Sequence, residues 1–349
     1  MRPIRLLVVD DSAFMRLAIR KMVAGDGEIE VVGEARNGVA AVNMVRQLKP
    51  DVITMDVEMP DLDGVGATRA IMRERPTPVI MLSSLTQQGA QTTVDALTAG
   101  AVDFISKSSS FVQLDIVQID RELREKIKYW GRHPMLPSTR KALADAAPQT
   151  VGGRRAGIAP KKVDMVVVGV STGGPKMFPT LLKACGRLGC PMVVAQHMPP
   201  LYTASFAQHL QHDTGLDVRE GVDGMALAEG SVTIIPGGRD GLIGHGIGGR
   251  KVFNTRTVTE ATIHPNADVL FESVLRVCET PLAVLLTGMG SDGTVGARKF
   301  AERGLPVVVQ TPGSCVVGGM PQSAIDAGAA SHVLSLEDIG ARLKDWTNR

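Results

Sequence analysis

The chain has 349 residues, 44% hydrophobic and 21% charged, which is enough apolar side chain for two buried cores and too little charge for a disordered polymer. A formal net charge of +2 and an aromatic content of 3% offer neither the field nor the stacking faces that nucleic-acid binding draws on. The start "MRPIRLLVVDD" reaches two aspartates too early for a signal peptide, and no run approaches the ~20 apolar residues of a membrane span, so the expected location is the cytoplasm with no membrane insertion.

From residue 4 onward, short apolar runs alternate with amphipathic stretches of helix length: "IRLLVVDD", "SAFMRLAIRKMVAG", "IEVVGEA", "GVAAVNMVRQL", "DVITMDVEM", "PVIMLSS" and "AVDFISK". Near-continuous Val/Ile/Leu strands separated by helices predict an α/β unit with a parallel sheet covered on both faces, five strands falling before residue 108. A helix within "SSFVQLDIVQIDRELREKIKYW" closes the unit near residue 130. Residues 131–161 lose this periodicity and gather Pro, Gly, Ala and basic residues, the composition of a flexible linker; its Arg154-Arg155 and Lys161-Lys162 pairs read as solvated charge. Over 162–349 the alternation resumes, interrupted from Val218 to Thr257 by a Gly-rich insert whose alternating residues suggest antiparallel hairpins. The cysteines Cys185, Cys190, Cys278 and Cys315 lack C-x-x-C spacing and read as reduced core residues.

In the first unit Asp10 and Asp11 end strand one, Asp56 strand three, Ser83 strand four and Lys107 strand five. Ligands of open parallel sheets bind outside the carboxyl ends of the strands, so these residues are expected to converge. Three carboxylates so placed repel one another unless a hard cation sits among them, and Mg²⁺, with its preference for oxygen ligands, suits them. Beside a metal, a hydroxyl and an ammonium, Asp56 is equipped to take a phosphoryl group. "VVDD", "MDVEMPDLDG", Ser83-Ser84 and "GAVDFISK" resemble the receiver domain of two-component response regulators over roughly residues 1–125. That resemblance implies that Asp56 accepts phosphate from a histidine kinase, that Asp10, Asp11 and Asp56 hold Mg²⁺, and that Ser83 and Lys107 respond to the phosphoryl group. Ser108 stands where receivers usually carry proline.

The second unit opens on "VVVGVSTGGPKMF", residues 166–178. It fits neither G-x-G-x-x-G nor a P-loop, but "GVSTG" matches G-x-S-x-G, a sharp strand-to-helix turn that exposes a serine. A serine in a Gly-rich turn is commonly just a turn residue; what adds weight is His197 directly after the next strand and Asp292 in a Gly-rich turn after a later one. Serine needs an imidazole to take its proton, and a carboxylate to orient that imidazole. His197 also reads as a core histidine and Asp292 as a turn residue, while His264 is the rival base. The chain order Ser, His, Asp differs from that of α/β-hydrolases.

"GVSTGGP", "AQHMPP", "HPNADVLF", "LTGMGSDG" and "VVGGMP" resemble the catalytic domain of chemotaxis protein-glutamate methylesterases over roughly residues 160–347. Together the two resemblances imply a flavodoxin-like doubly wound receiver domain, then a second doubly wound parallel-sheet hydrolase domain with a small antiparallel β insert. They further imply hydrolysis of glutamate methyl esters on chemoreceptor helices, with deamidation of glutamines, by Ser171 as nucleophile, His197 as base and Asp292 as its orienter. Amides near Thr172 and Met289 become oxyanion donors, and the esterase site needs no cofactor. Pro312 and Gly318 stand where the family commonly has an acidic and an aromatic residue. A phosphorylation-controlled scaffold that only docks on receptors is the alternative, and the triad's presence weighs against it.

Overall fold

The inner Val/Ile/Leu runs form strands buried on both faces, while the edge run at Ile29–Ala35 is only partly buried, and the amphipathic stretches lay helices across two parallel sheets. The computed structural model describes residues 2–84, 86–107, 116–133, 162–256 and 263–348, with side chains from residue 120 in the third of these segments. The chain divides into two compact units, Met1–Ser138 and Thr139–Arg349. From residue 134 the expected linker, with Arg154, Arg155 and Lys161, lies outside the described residues, as does Ser108.

In the first unit the strands β1 (Ile4–Val9), β2 (Ile29–Ala35), β3 (Val52–Asp56), β4 (Val79–Ser84) and β5 (Asp103–Lys107) pair in the order β2-β1-β3-β4-β5, all parallel. The helices are α1 (Ala13–Val23), α2 (Gly38–Leu48), α3 (Gly64–Glu74), α4 (Gln87–Ala99) and α5 (Ile116–Arg132). Ser12, Asn37, Asp63 and Thr86 cap α1 to α4, each side chain accepting the amide three residues on. The loops after β1 to β4 thus each run into a capped helix start.

The second unit has seven parallel strands in the order β15-β14-β13-β6-β7-β10-β8: β6 (Met165–Val170), β7 (Met192–Gln196), β8 (Asp217–Glu220), β10 (Ser231–Ile234), β13 (Pro281–Leu285), β14 (Val307–Gln310) and β15 (His332–Leu334). A three-stranded antiparallel sheet, β11-β12-β9, joins β9 (Met225–Ala226), β11 (Asp240–His245) and β12 (Lys251–Arg256). The insert is therefore only partly antiparallel, because β8 and β10 join the main sheet. Burial is the reason: "SVTI" of β10 is covered on both faces, as an inner parallel strand must be, whereas β11 and β12 keep partly exposed positions. The helices are α6 (Gly174–Cys185), α7 (Tyr202–Thr214), α8 (Ala267–Val274), α9 (Thr294–Glu302), α10 (Gly319–Asp326) and α11 (Leu336–Thr347).

Phe253 of β12, Phe271 of α8 and Phe300 of α9 are fully buried with Val167 and Val193, so the small sheet is fastened into the main core. Burying each such ring stabilises by roughly 1.5–3 kcal/mol. From β6 the strand order runs one way through β7 and the other way through β13, which puts the topological switch point between β6 and β13. Among the described residues no helix is long and apolar enough to cross a membrane.

Candidate active site

At the carboxyl edge of the first sheet, ligand oxygens of Asp10, Asp11 and Asp56 lie within 4.8 Å of one another. Asp10 and Asp56 are buried and Asp11 is exposed. Lys107 Nζ sits 2.9 Å from Asp10 Oδ2 and 2.7 Å from Asp56 Oδ1. Burial pushes the Asp56 carboxyl up to about 6, with the Lys107 ammonium pulling against it and Asp10 adding to it. One ammonium cannot balance three carboxylates, so the cluster fits a hard divalent cation with oxygen ligands. Ser83 reaches the same edge, but its hydroxyl is buried against α4, 2.6 Å from Thr93 Oγ1 and 3.1 Å from the Gly89 carbonyl. Four of the five strand-end residues meet, and the fifth has its hydroxyl engaged with a helix.

In the second unit β6 and β7 are neighbours with Val170 opposite Gln196, so Ser171 and His197 leave the sheet side by side. The His197 amide donates to the Val170 carbonyl at 3.0 Å. Ser171 turns toward β13: its amide donates to the Thr287 carbonyl at 2.9 Å, and a β-carbon on Gly288 would come within 2.7 Å of Ser171 Cβ. Only glycine allows that approach. Gly173, at φ 85°, closes the turn into α6, where a side chain would collide with Val316.

His197 Nε2 lies 2.7 Å from Asp292 Oδ2, both side chains 9% exposed. Asp292 is saturated with donors: Oδ2 also accepts the Ala267 amide at 2.7 Å, and Oδ1 accepts those of Asp268 at 3.1 Å and Gly293 at 2.9 Å. Burial opposes ionisation of this carboxyl, but the His197 imidazole and the Ala267 and Asp268 amides outweigh it and hold it below the ordinary carboxylate range. Thr172 follows Ser171 on the loop after β6, and Met289 lies on the loop after β13. His264, the rival base, bonds through Nδ1 to Asp240 Oδ1 at 3.0 Å. Pro312 and Gly318 pack on each other, and Gly318 bridges to Gly288. Burial pushes the thiols of Cys185, Cys190 and Cys315 up to about 12 and that of Cys278 up to about 11, which suits unreactive reduced side chains.

Sequence reasoning missed the buried polar residues that fasten the Ser171 turn. Gln196 Nε2 donates to the Ser171 carbonyl at 3.0 Å, Thr287 Oγ1 to the Thr172 carbonyl at 2.8 Å, and Gln310 Oε1 accepts the Thr287 amide at 3.2 Å. A polar residue inside or just past an otherwise apolar strand was the available signal. The α8 amides on Asp292 were also missed; Asn266 ahead of an apolar run marks that helix start, since its side chain accepts the Val269 amide.

A parallel-sheet hydrolase unit with a serine, histidine and aspartate at its strand ends, preceded by a receiver with an acidic pocket, defines a response regulator with an enzymatic output. Residues 166–343 match the CheB methylesterase family and residues 6–117 the response regulator receiver domain. The chain belongs to the CheB methylesterase family. It is 37% identical over 353 residues to the protein-glutamate methylesterase/protein-glutamine glutaminase of Bacillus licheniformis, covering 99% of each chain. A relative of the same description from Nitratidesulfovibrio vulgaris is 40% identical, across 97% of this chain and 98% of its own length. Among solved structures, the catalytic domain of Thermotoga maritima CheB is 34% identical with a TM-score of 0.48, covering 53% of this chain and 98% of that one. The response regulator domain of Thermotoga maritima CheB is 50% identical with a TM-score of 0.35, covering 38% and 98%.

Proposed function

We propose that this chain is a phosphorylation-controlled protein-glutamate methylesterase, and a protein-glutamine glutaminase, acting on chemoreceptor helices in the cytoplasm. Residues 1–130 serve as receiver, 131–161 as linker and 162–349 as catalytic domain. The His197–Asp292 hydrogen bond, on the strand end beside Ser171, carries the reading.

With Nε2 donating to Asp292, His197 Nδ1 is the nitrogen that takes the Ser171 proton as Oγ attacks the ester carbonyl. The amides of Thr172 and Met289 stabilise the oxyanion. As the tetrahedral adduct collapses, the His197 proton passes to the leaving methoxide, giving methanol and an acyl-serine. Water, deprotonated by the same nitrogen, then hydrolyses the acyl-serine to the glutamate carboxylate and restores Ser171. For a glutamine side chain the same steps release ammonia.

In the receiver, Asp10, Asp11 and Asp56 would hold Mg²⁺, which when bound offsets charge on the transferred phosphoryl group. Asp56 Oδ attacks the phosphohistidine of the kinase, and Lys107 and Ser83 read the new phosphoryl oxygens.

Methanol release from a methylated receptor cytoplasmic fragment tests the reading. Wild type is expected to release methanol and Ser171→Ala none. Binding of the fragment without release would leave the docking scaffold as the function.

A further inference from the structure

The first turn of α8 holds the triad carboxylate, and something must hold that turn. Ala267 and Asp268 donate their amides to Asp292, but they follow a loop, Ile263 to Asn266, that carries no regular structure before the helix. One side chain from a different sheet reaches this loop. Asp240, the first residue of β11, is fully buried, and its Oδ1 accepts both the Asn266 amide at 2.8 Å and His264 Nδ1 at 3.0 Å. Asn266 is in turn the N-cap of α8. A continuous line of bonds thus runs from β11 through Asn266 and the first turn of α8 to Asp292, and on to His197.

Stability alone does not account for a carboxylate here. Asp240 Oδ2 is buried and has no hydrogen-bond partner among the described residues. A buried carboxylate with one oxygen unserved among the described residues is costly, and a neutral amide, whose single carbonyl oxygen could serve the same two donors, would be tolerated as well or better. What Asp240 supplies is direction: a single oxygen fixes two donors of the same loop, and with them the angle at which α8 begins. The far end of the same helix is tied to the same strand by a different bond, Ile243 amide to Ser273 Oγ at 3.0 Å, which has no part in holding Asp292.

We propose that Asp240 is a positioning residue for the hydrolytic site: through His264 and Asn266 it sets the turn whose amides orient Asp292. The proposal rests on the function given above.

The test uses the full chain with Asp240→Ala, Asp240→Asn and Ser273→Ala, measured by kcat and KM for methanol release and by the NMR signal of the His197 Nε2 proton shared with Asp292. Misplacement of a catalytic group by about 1 Å can cost about a hundredfold in rate, so Asp240→Ala is expected to lower kcat by roughly tenfold or more, with KM within about twofold. The Nε2 proton signal should shift or broaden in that variant. Asp240→Asn, whose carbonyl oxygen can accept both bonds, should restore kcat and the signal. Ser273→Ala, which loosens the other end of the strand–helix contact, should leave both near wild type.

Unchanged kcat and signal in Asp240→Ala would overturn the proposal. So would an equal loss in Ser273→Ala, which would mean general loosening, or an Asn variant as impaired as the Ala variant, which would mean that charge and not placement matters. If wild type released no methanol the proposed function would fail, and the proton signal would still decide whether Asp240 orients Asp292.

Discussion

Replacing Asp56 by its neutral isostere should make the receiver more stable, and the structure sets the size of the effect. Asp56 is buried beside Asp10, and burial holds its carboxyl at about 6 in the folded chain against an ordinary 3.8. Below pH 3.8 both folded and unfolded chains carry the proton and the group costs nothing. Between 3.8 and about 6 the unfolded chain ionises while the folded chain keeps its proton, so stability falls as pH rises; above about 6 the whole penalty is present. The gap corresponds to about 3 kcal/mol.

The amide side chain of Asp56→Asn ionises in neither state. Its oxygen can still accept the Val57 amide, as Asp56 Oδ1 does at 2.8 Å, and Lys107 keeps its partner Asp10. In EDTA at about pH 8, Asp56→Asn is therefore expected to exceed wild type by up to about 3 kcal/mol, an advantage that disappears toward about pH 4. The chain has two tryptophans, and Trp130 lies in α5 of the receiver while Trp346 lies in α11 of the other unit. Urea unfolding followed by Trp130 fluorescence in a Trp346→Phe background thus reports the receiver alone. Added Mg²⁺ should narrow the difference, because a divalent cation held by Asp10, Asp11 and Asp56 would favour the ionised folded state. A wild type as stable as Asp56→Asn under the same metal-free alkaline conditions would refute the reasoning.

Asp292→Asn should lower turnover on methylated receptor by about 10⁴, as the same exchange does in a Ser-His-Asp protease, because the amide cannot hold His197 with Nε2 as donor; retained turnover would remove Asp292 from the mechanism. Asp56→Asn should abolish the rise in methanol release that a small phosphodonor produces in wild type, a rate comparison made with and without the donor. Gly288→Ala should lower kcat, since its methyl group would press on Ser171 Cβ at 2.7 Å; an unchanged kcat would show that the β13 loop yields freely. Leu201 takes φ 76° and is 41% exposed, so Leu201→Gly should relieve left-handed strain and stabilise the second unit by about 1 kcal/mol, read from Trp346 in a Trp130→Phe background.

Local pattern carried a large part of this protein. The alternation of Val/Ile/Leu runs with amphipathic stretches announced two parallel sheets, because burial on both faces demands continuous apolar strands and that demand is met within a few residues. Chemically distinctive side chains placed directly after such runs, Asp10, Asp56, Lys107, Ser171, His197 and Asp292, were legible for the same reason: a residue that ends a parallel strand emerges at the edge where ligands bind.

Strand order was not legible. Nothing in the sequence between β7 and β13 announces that β13 returns to lie beside β6, which is what brings Asp292 to His197, nor that "SVTI" of β10 enters the main sheet while β11 and β12 form their own. Ser83 stands at its strand end as read, yet Thr93 and Gly89 of α4 hold its hydroxyl.

The sequence by itself determined the kinds of element, their succession and the reactive side chains, since these depend on spacing along the chain. Only the tertiary structure decided which donors surround those side chains: the Ala267, Asp268 and Gly293 amides on Asp292, the choice of Nε2 by His197, and the Asp240 carboxylate behind α8. Backbone amides are the same at every residue, so their use as ligands leaves no mark in the sequence until non-local burial has chosen which loops meet.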